Sequence, residues 1–198
     1  VANNSSRQIF SKVSGLNIWE SDCSGLQLGV GSRGLSPART SNFNVRQNGY
    51  DISADALGYP ESYYTPPSEA IDRIEVVRGA ASLQYGTQFG GMVNFKLKQP
   101  FNTRKFGALT RNTVGSNGLF SNFTQLGGRY GTSRYTAFFN YKKGKDFRPN
   151  SGFKQLVAYA SYTKLLSENT ALGAELTHMN YIAQQPGGLT DEAYLLSP

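Results

Sequence analysis

The sequence predicts a β-rich chain in two parts. The first, residues 1–100, reads as a small α+β domain, a mixed sheet with short helices. The second, residues 101–198, reads as antiparallel strands of an incomplete transmembrane β-barrel. Three observations carry this. The composition is 12 Tyr, 12 Phe and 22 Gly against one Trp and two Met, with 38% hydrophobic residues. That mix suits strands that alternate polar and apolar positions, and no apolar run is long enough for a membrane-crossing helix. The stretch 71–95 reads strand, turn, Gly-Gly, strand. After Gln99-Pro100-Phe101-Asn102 the texture changes to segments of about ten residues, the length a tilted strand needs to cross a bilayer.

In order along the chain, Arg7 to Val13 reads as a short helix with Ile9, Phe10 and Val13 on one face and Gly15 at its stop. The start, Val1-Ala2-Asn3-Asn4, has no signal-peptide pattern, which in an exported protein implies a processed or truncated N-terminus. Residues 16–19 read as a strand, 20–25 as a polar turn, and 26–28 as the start of another extended piece. Gly29-Val30-Gly31-Ser32-Arg33-Gly34 has the glycine spacing of a dinucleotide-binding loop. That motif needs a helix to begin on it, and Pro37 blocks one. Residues 43–47 alternate Phe43 and Val45 with Asn44 and Arg46, a strand. Asn48-Gly49 is a strong hairpin-turn pair. Residues 51–65 form a long loop with Tyr59, Tyr63 and Tyr64, closed by Pro66-Pro67, and Ser68 caps a short turn.

The central stretch follows. Ile74, Val76 and Val77 make a β run carrying Glu75 and Arg78, and Gly79 ends it. Residues 80–85 have room for one helical turn at most. Gly90-Gly91 permits a tight backbone turn, and residues 92–97 form a second strand. Ile71-Asp72-Arg73-Ile74-Glu75-Val76-Val77-Arg78-Gly79, then Tyr85-Gly86 and Gly90-Gly91-Met92-Val93-Asn94-Phe95, closely resemble the plug-domain signature of TonB-dependent outer-membrane receptors. Arg33-Gly34 matches an Arg-Gly pair in the plug core of that family. Asn48 stands where the family usually has an acidic residue, a change expected to matter little because Asn also tolerates the turn.

Five barrel strands are expected at 105–114, 119–130, 133–143, 154–164 and 170–182. The third is cleanest. Tyr135, Ala137, Phe139 and Tyr141 face one way; Arg134, Thr136, Asn140 and Lys142 face the other, with Phe138 the exception. The fourth sets Leu156, Ala158, Ala160 and Tyr162 against Gln155, Ser161 and Thr163. The first, second and fifth alternate poorly. Connections at 115–118, 130–133 and 166–169 are tight, and 144–153 and 184–198 are longer. With the first strand running outward, 130–133 and 166–169 fall on the periplasmic side and the two longer segments outside, as outer-membrane barrels prefer.

The resemblance implies a 22-stranded barrel around the plug when complete. Five strands cannot close around a folded domain, and an open edge is not tolerated in lipid, so this chain is expected to be part of a longer protein. The implied function is uptake of a ferric chelate across the bacterial outer membrane, energised by the TonB complex gripping a TonB box. Within the family, Arg33-Gly34-Leu35-Ser36-Pro37 and Gly58-Tyr59-Pro60-Glu61 resemble the ferric dicitrate receptor group. This places ligand contacts at the plug apex on Ser36, Tyr59 and Glu61, with Tyr63 beside them. Neutral amides are expected in that group where Tyr59 and Glu61 stand, and a carboxylate at Glu61 would repel a citrate-rich anion. Haem, cobalamin, an oligosaccharide or another siderophore therefore remain as ligands. The resemblance also implies that Arg33 and Arg78 pair with barrel glutamates; a local pair of Arg78 with Glu75 or Asp72 is the alternative.

Other function classes fit less well. The net charge is +7, but the basic residues are scattered, and the one dense group, Lys142-Lys143-Gly144-Lys145, lacks the aromatic interleaving of a nucleic-acid surface. Cys23 alone makes neither an internal disulfide nor a cysteine metal cage. His178 is the single histidine, the acids are scattered, and no enzyme, metal or cofactor site is expected. A non-transporting surface adhesin, using the tyrosines of 50–64 to stack on sugars, is the competing class.

Overall fold

In the computed structural model the β-rich reading takes a definite form. The structure describes residues 6–10, 13–20, 28–32, 34–40, 42–54, 62–86, 88–146, 149–184, 190 and 196. The chain opens with helix α1 (Ser6–Ile9). Of the helix expected over 7–13, residues 11 and 12 lie outside the described residues; the Phe10 amide donates to the Arg7 carbonyl at 3.1 Å and the Val13 amide to the Phe10 carbonyl at 2.9 Å. Strands β1 (Leu16–Glu20) and β2 (Leu28–Ser32) pair antiparallel as a two-stranded sheet. The predicted turn at 20–25 falls almost wholly outside the described residues.

Gly29 and Gly31 lie inside β2 and not at a strand–helix junction, so no phosphate-binding loop forms. Their role is steric. A Cβ on Gly29 would stand 2.4 Å from the Pro37 carbonyl oxygen, and one on Gly31 would stand 2.6 Å from that of Leu35. The missing side chains let residues 35–37 lie directly on the strand. A 3₁₀ turn follows at Ala38–Thr40, and the Thr40 hydroxyl donates to the Leu28 carbonyl at 3.0 Å.

The main sheet of the N-terminal part, the part whose sequence resembles a plug, is four-stranded, in the order β4-β3-β6-β5. Strand β3 (Phe43–Gln47) turns through Asn48 and Gly49 into the short β4 (Tyr50–Asp51). Both turn residues have positive φ, +51° and +97°, as a two-residue hairpin turn requires. Strand β5 (Ile71–Arg78) leads into a 3₁₀ segment, Gly79–Gln84, longer than the single turn expected. Strand β6 (Gly91–Leu97) then runs antiparallel to β5 and parallel to β3. The sheet is therefore mixed. Its core holds Phe10, Leu28, Val30, Phe43, Val45, Ile71, Val93 and Phe95. The Phe10 and Phe95 rings meet edge to face at 5.9 Å, so the N-terminal turn is packed on the sheet.

After β6 the chain crosses to five long strands: β7 (Gly107–Val114), β8 (Phe120–Tyr130), β9 (Ser133–Gly144), β10 (Phe153–Ser167) and β11 (Thr170–Ala183). They form an antiparallel meander in chain order. Each lies within about three residues of its expected bounds. The pairing registers align one face of every strand. Phe123, Phe138 and Tyr159 share a face with Gln125, Asn140 and Val157, while Tyr135, Phe139, Leu156 and Tyr162 share the other. The first face is buried along the middle strands β8 to β10, where it packs on the plug sheet, and mostly exposed on β7 and β11; the second is largely exposed along β10 and β11. No helix among the described residues is long and apolar enough to cross a membrane.

Candidate functional site: the joint between plug and wall

The plug meets the wall through a small apolar core and a polar rim. Tyr64, Ala70 and Leu97 of the plug cluster with Phe123, Phe138, Val157 and Tyr159 of the wall. Phe138 stacks on Tyr159 with ring centres 5.0 Å apart, and Phe123 lies 5.6 Å from Phe138. Such pairs add roughly 0.5–1.5 kcal/mol each beyond area burial. This explains the break in alternation at Phe138. Its face is polar where it meets water and aromatic where it meets the plug.

The hairpin tip of β3–β4 supplies the polar rim. The Asn48 side-chain amide donates to both Glu175 carboxylate oxygens, at 3.1 and 3.0 Å, and to the Tyr159 hydroxyl at 3.2 Å. Its carbonyl oxygen accepts from the Leu97 amide at 3.0 Å. One side chain thus bridges β6 of the plug and two strands of the wall. Beside it, Gln47 donates to the Thr177 hydroxyl at 3.1 Å and accepts from Tyr64 at 2.9 Å. Burial pushes the Tyr64 phenol above its ordinary range, with the neighbouring Tyr159 adding to the effect. Asn48 keeps the turn, as expected, and in addition holds Glu175 and Tyr159. A carboxylate there would face Glu175 instead of binding it.

A second polar cluster lies along the same hairpin. Arg46 donates to the Asn44 side chain and to the Gly49 carbonyl, the latter at 2.7 Å, and its guanidinium lies 5.4 Å from the Tyr85 ring centre. Asn44 in turn donates to Asp51 at 2.6 Å. The Asn-Gly dipeptide marked the turn, but nothing in the sequence marked Gln47, Asn48, Tyr64, Tyr159 and Glu175 as partners. The hydrogen-bonded pairs of this joint lie up to 130 residues apart in the chain, the separation of Gln47 and Thr177.

The expected site residues are placed as follows. Ser36 is exposed and its hydroxyl accepts from the Ala38 amide at 3.2 Å. It lines a cavity of about 410 Å³ with Gly15, Asn17, Trp19, Ser32 and Leu35. Tyr63 is half-buried in the segment that carries Tyr64, and this cavity is lined without it. Tyr59, Glu61 and Arg33 lie outside the described residues. Arg78 donates to the Ser14 carbonyl, and its guanidinium sits next to Gly15 at the cavity's edge. The local Arg78–Glu75 pair does not form. Strand periodicity puts the two on opposite faces, and Glu75 is taken by Arg73 at 2.9 Å and Asn94 at 2.8 Å. Burial alone would raise the Glu75 carboxyl, but hydrogen bonds from Asn94 and Arg73, with Lys96 nearby, hold it below the ordinary carboxylate range. Among the described residues no cluster of His, Cys, Asp or Glu could hold a metal ion.

Comparison with known proteins fits this geometry. Residues 2–93 match the TonB-dependent receptor plug domain family. Among solved structures, the chain is similar to the pyoverdine outer membrane receptor FpvA from Pseudomonas aeruginosa PAO1 (TM-score 0.66, 21% identity, 84% of this chain and 24% of that one). It is similar to the siderophore receptor PirA from the same species (TM-score 0.64, 22% identity, 90% and 32%). It is also similar to the alcaligin receptor FauA from Bordetella pertussis (TM-score 0.66, 20% identity, 87% and 28%). The chain spans about a quarter to a third of the length of these structures. Residues 2–93 are thus similar to the TonB-dependent receptor plug domain, and the sheet-on-wall fold is shared with solved outer-membrane receptor structures.

Proposed function

We propose that this chain is the plug (residues 1–100) and first wall strands (101–198) of a receptor that takes up a ferric chelate. A 22-stranded barrel would complete the wall, and the TonB complex would supply the energy. The observation that carries the reading is the joint itself. The plug is held to the wall by one polar hairpin tip and a few rings, with no ion pair bridging the two among the described residues. A contact of that size holds the plug at rest yet can yield to a pull. Ligand binding at Ser36, Tyr59, Glu61 and Tyr63 would be the signal that releases the periplasmic end. Arg33 and Arg78 would be further locks, pairing with glutamates of later strands.

The ligand class is a ferric siderophore, with ferric citrate a member of the tested set. The similar structures named above are receptors for siderophores, which favours that class, and Glu61 disfavours a citrate-rich anion. The test is binding of ferric citrate, haem and a siderophore panel to the full-length receptor in detergent, followed by quenching of intrinsic fluorescence. Saturable binding of an iron chelate that tightens in Glu61→Gln supports the reading. Binding of none of them, with a sugar or cobalamin bound instead, moves the substrate elsewhere.

A further inference from the structure

The outward face of the wall carries a cationic rim at its long-loop end. Lys143 of β9 and Lys154 of β10 stand directly opposite each other. Lys143 also faces Phe120, and Lys154 faces Ile182, so two lysines occupy the middle of one row across four strands. Lys145 follows Lys143 by two residues. All three are exposed, and all three line one cavity of about 500 Å³, together with Asn117 and Ile182. None of the three forms an ion pair among the described residues. Like charges directly opposite on neighbouring strands repel, so this row destabilises the wall unless an anion lies against it.

The rim's level on the wall indicates which anion. Tyr135 and Tyr162 face each other near the short-turn end of the same face. Lys143 lies roughly 27 Å further along β9 at about 3.4 Å per residue. At the usual barrel tilt that is about 20 Å of height, close to the thickness of the apolar band. Tyr141 closes the band at the upper end, and the Lys154 ammonium lies 5.9 Å from its ring centre. Short turns face the periplasm in outer-membrane barrels and longer loops face outward. Here the connections at the lysine end are residues 115–119 and 145–152, against 131–132 and 168–169 at the other. The ammonium groups therefore stand at headgroup level in the outer leaflet.

We infer that Lys143, Lys145 and Lys154 bind the phosphorylated headgroup of an outer-leaflet glycolipid, whose acyl chains lie along the aromatic strip below. The inference rests on the outer-membrane reading of this wall and not on the identity of the transported ligand. Each lysine near an anionic lipid surface contributes a factor of about five, so the three together give on the order of 100-fold.

The test uses the full-length receptor in nanodiscs, titrated with a bisphosphorylated glycolipid and with its dephosphorylated form and read by native mass spectrometry. The triple variant Lys143→Ala, Lys145→Ala, Lys154→Ala should bind the phosphorylated form about 100-fold more weakly. It should keep its heat-modifiable gel migration and its ferric-chelate affinity. Lys164→Ala, on the same face at the short-turn end, should leave glycolipid binding unchanged. Equal binding by wild type and triple variant, or equal binding of the dephosphorylated form, overturns the site. Displacement of the glycolipid by inorganic phosphate at matched concentration overturns the lipid as its source. Failure of the wild type to bind any iron chelate would bear on the proposed transport and leave this result untouched.

Discussion

Asn48→Asp isolates the joint. The substitution exchanges an NH₂ group for an oxygen at a position 3.0 and 3.1 Å from the Glu175 carboxylate oxygens and 3.2 Å from the Tyr159 hydroxyl. The turn survives, because Asp tolerates positive φ nearly as well as Asn. The contact does not. It loses a hydrogen bond to a charged group, worth about 1.5–3 kcal/mol. It gains a like-charge pair that, at about 3–4 Å and an effective dielectric near 20, amounts to about 4–5 kcal/mol before solvent screening. The contact is exposed at one edge, so screening lowers that figure. The introduced carboxylate also has an escape. Taking up a proton costs about 4 kcal/mol at pH 7 and about 1.5 kcal/mol at pH 5 from an ordinary aspartate, and this caps the penalty. The net expectation is a joint weakened by about 2–4 kcal/mol at pH 7 and by less than 2 kcal/mol at pH 5. Hydrogen exchange of residues 43–51 in the full-length receptor, corrected for intrinsic rates, reads this directly. Protection should fall about 30- to 1000-fold at pH 7 and recover at pH 5. Glu175→Gln should rescue much of the loss at pH 7. Unchanged protection, or an equal loss in the Glu175→Gln background, refutes the reasoning. It follows that an acidic residue at position 48, the one the family resemblance favours, weakens the joint wherever the wall carries Glu175.

Three further outcomes are expected. Phe138→Ala removes the ring that stacks on Tyr159 and leaves a cavity between plug and wall; it should cost about 3–5 kcal/mol, seen as faster proteolysis of the plug with the barrel's heat-modifiable migration retained. Gly91→Ala places a Cβ 2.6 Å from the Phe43 ring and 2.8 Å from the Val77 carbonyl oxygen, at a φ of +153°; about 2–4 kcal/mol of plug stability should be lost from crowding and backbone strain, measured by denaturant titration of plug fluorescence. For Tyr64, burial raises the phenol's pKa in the folded state, so its contribution is complete below the ordinary value near 10 and is lost as pH rises above it. Plug protection should therefore fall above pH 10 in wild type and fall less steeply in Tyr64→Phe.

The parts of the fold legible in the sequence were those fixed by local rules. Strand bounds in the wall followed from segment length and turn residues, with alternation adding to them only in the third and fourth strands, and the Asn-Gly turn appeared at positive φ. The central signature carried both its strands. What local rules missed has a common cause. Phe10 packs on Phe95, a contact 85 positions away that no propensity encodes. The poor alternation at Phe138 looked like noise, yet it marked the place where the wall stops facing water and faces the plug. Val157 and Tyr159, also apolar on the inward face, carried the same signal, and reading the three together would have located the joint. Asn48 was read for its backbone tolerance alone. Its partner Glu175 is 127 residues distant, and only the tertiary structure pairs the two. The parallel pairing of β3 with β6 was likewise silent, since register between distant strands leaves no local mark.

The proposed uptake requires the plug to part from the wall at this joint. In a cysteine-free background with Cys23→Ser, the pair Asn48→Cys and Glu175→Cys joins the hairpin tip to β11 on oxidation. Uptake of the bound ferric siderophore by cells carrying the full-length receptor is then measured before and after reduction, with binding as control. Binding should stay normal throughout, with uptake abolished in the oxidised form and restored by reductant. Full uptake with the disulfide intact would contradict that requirement.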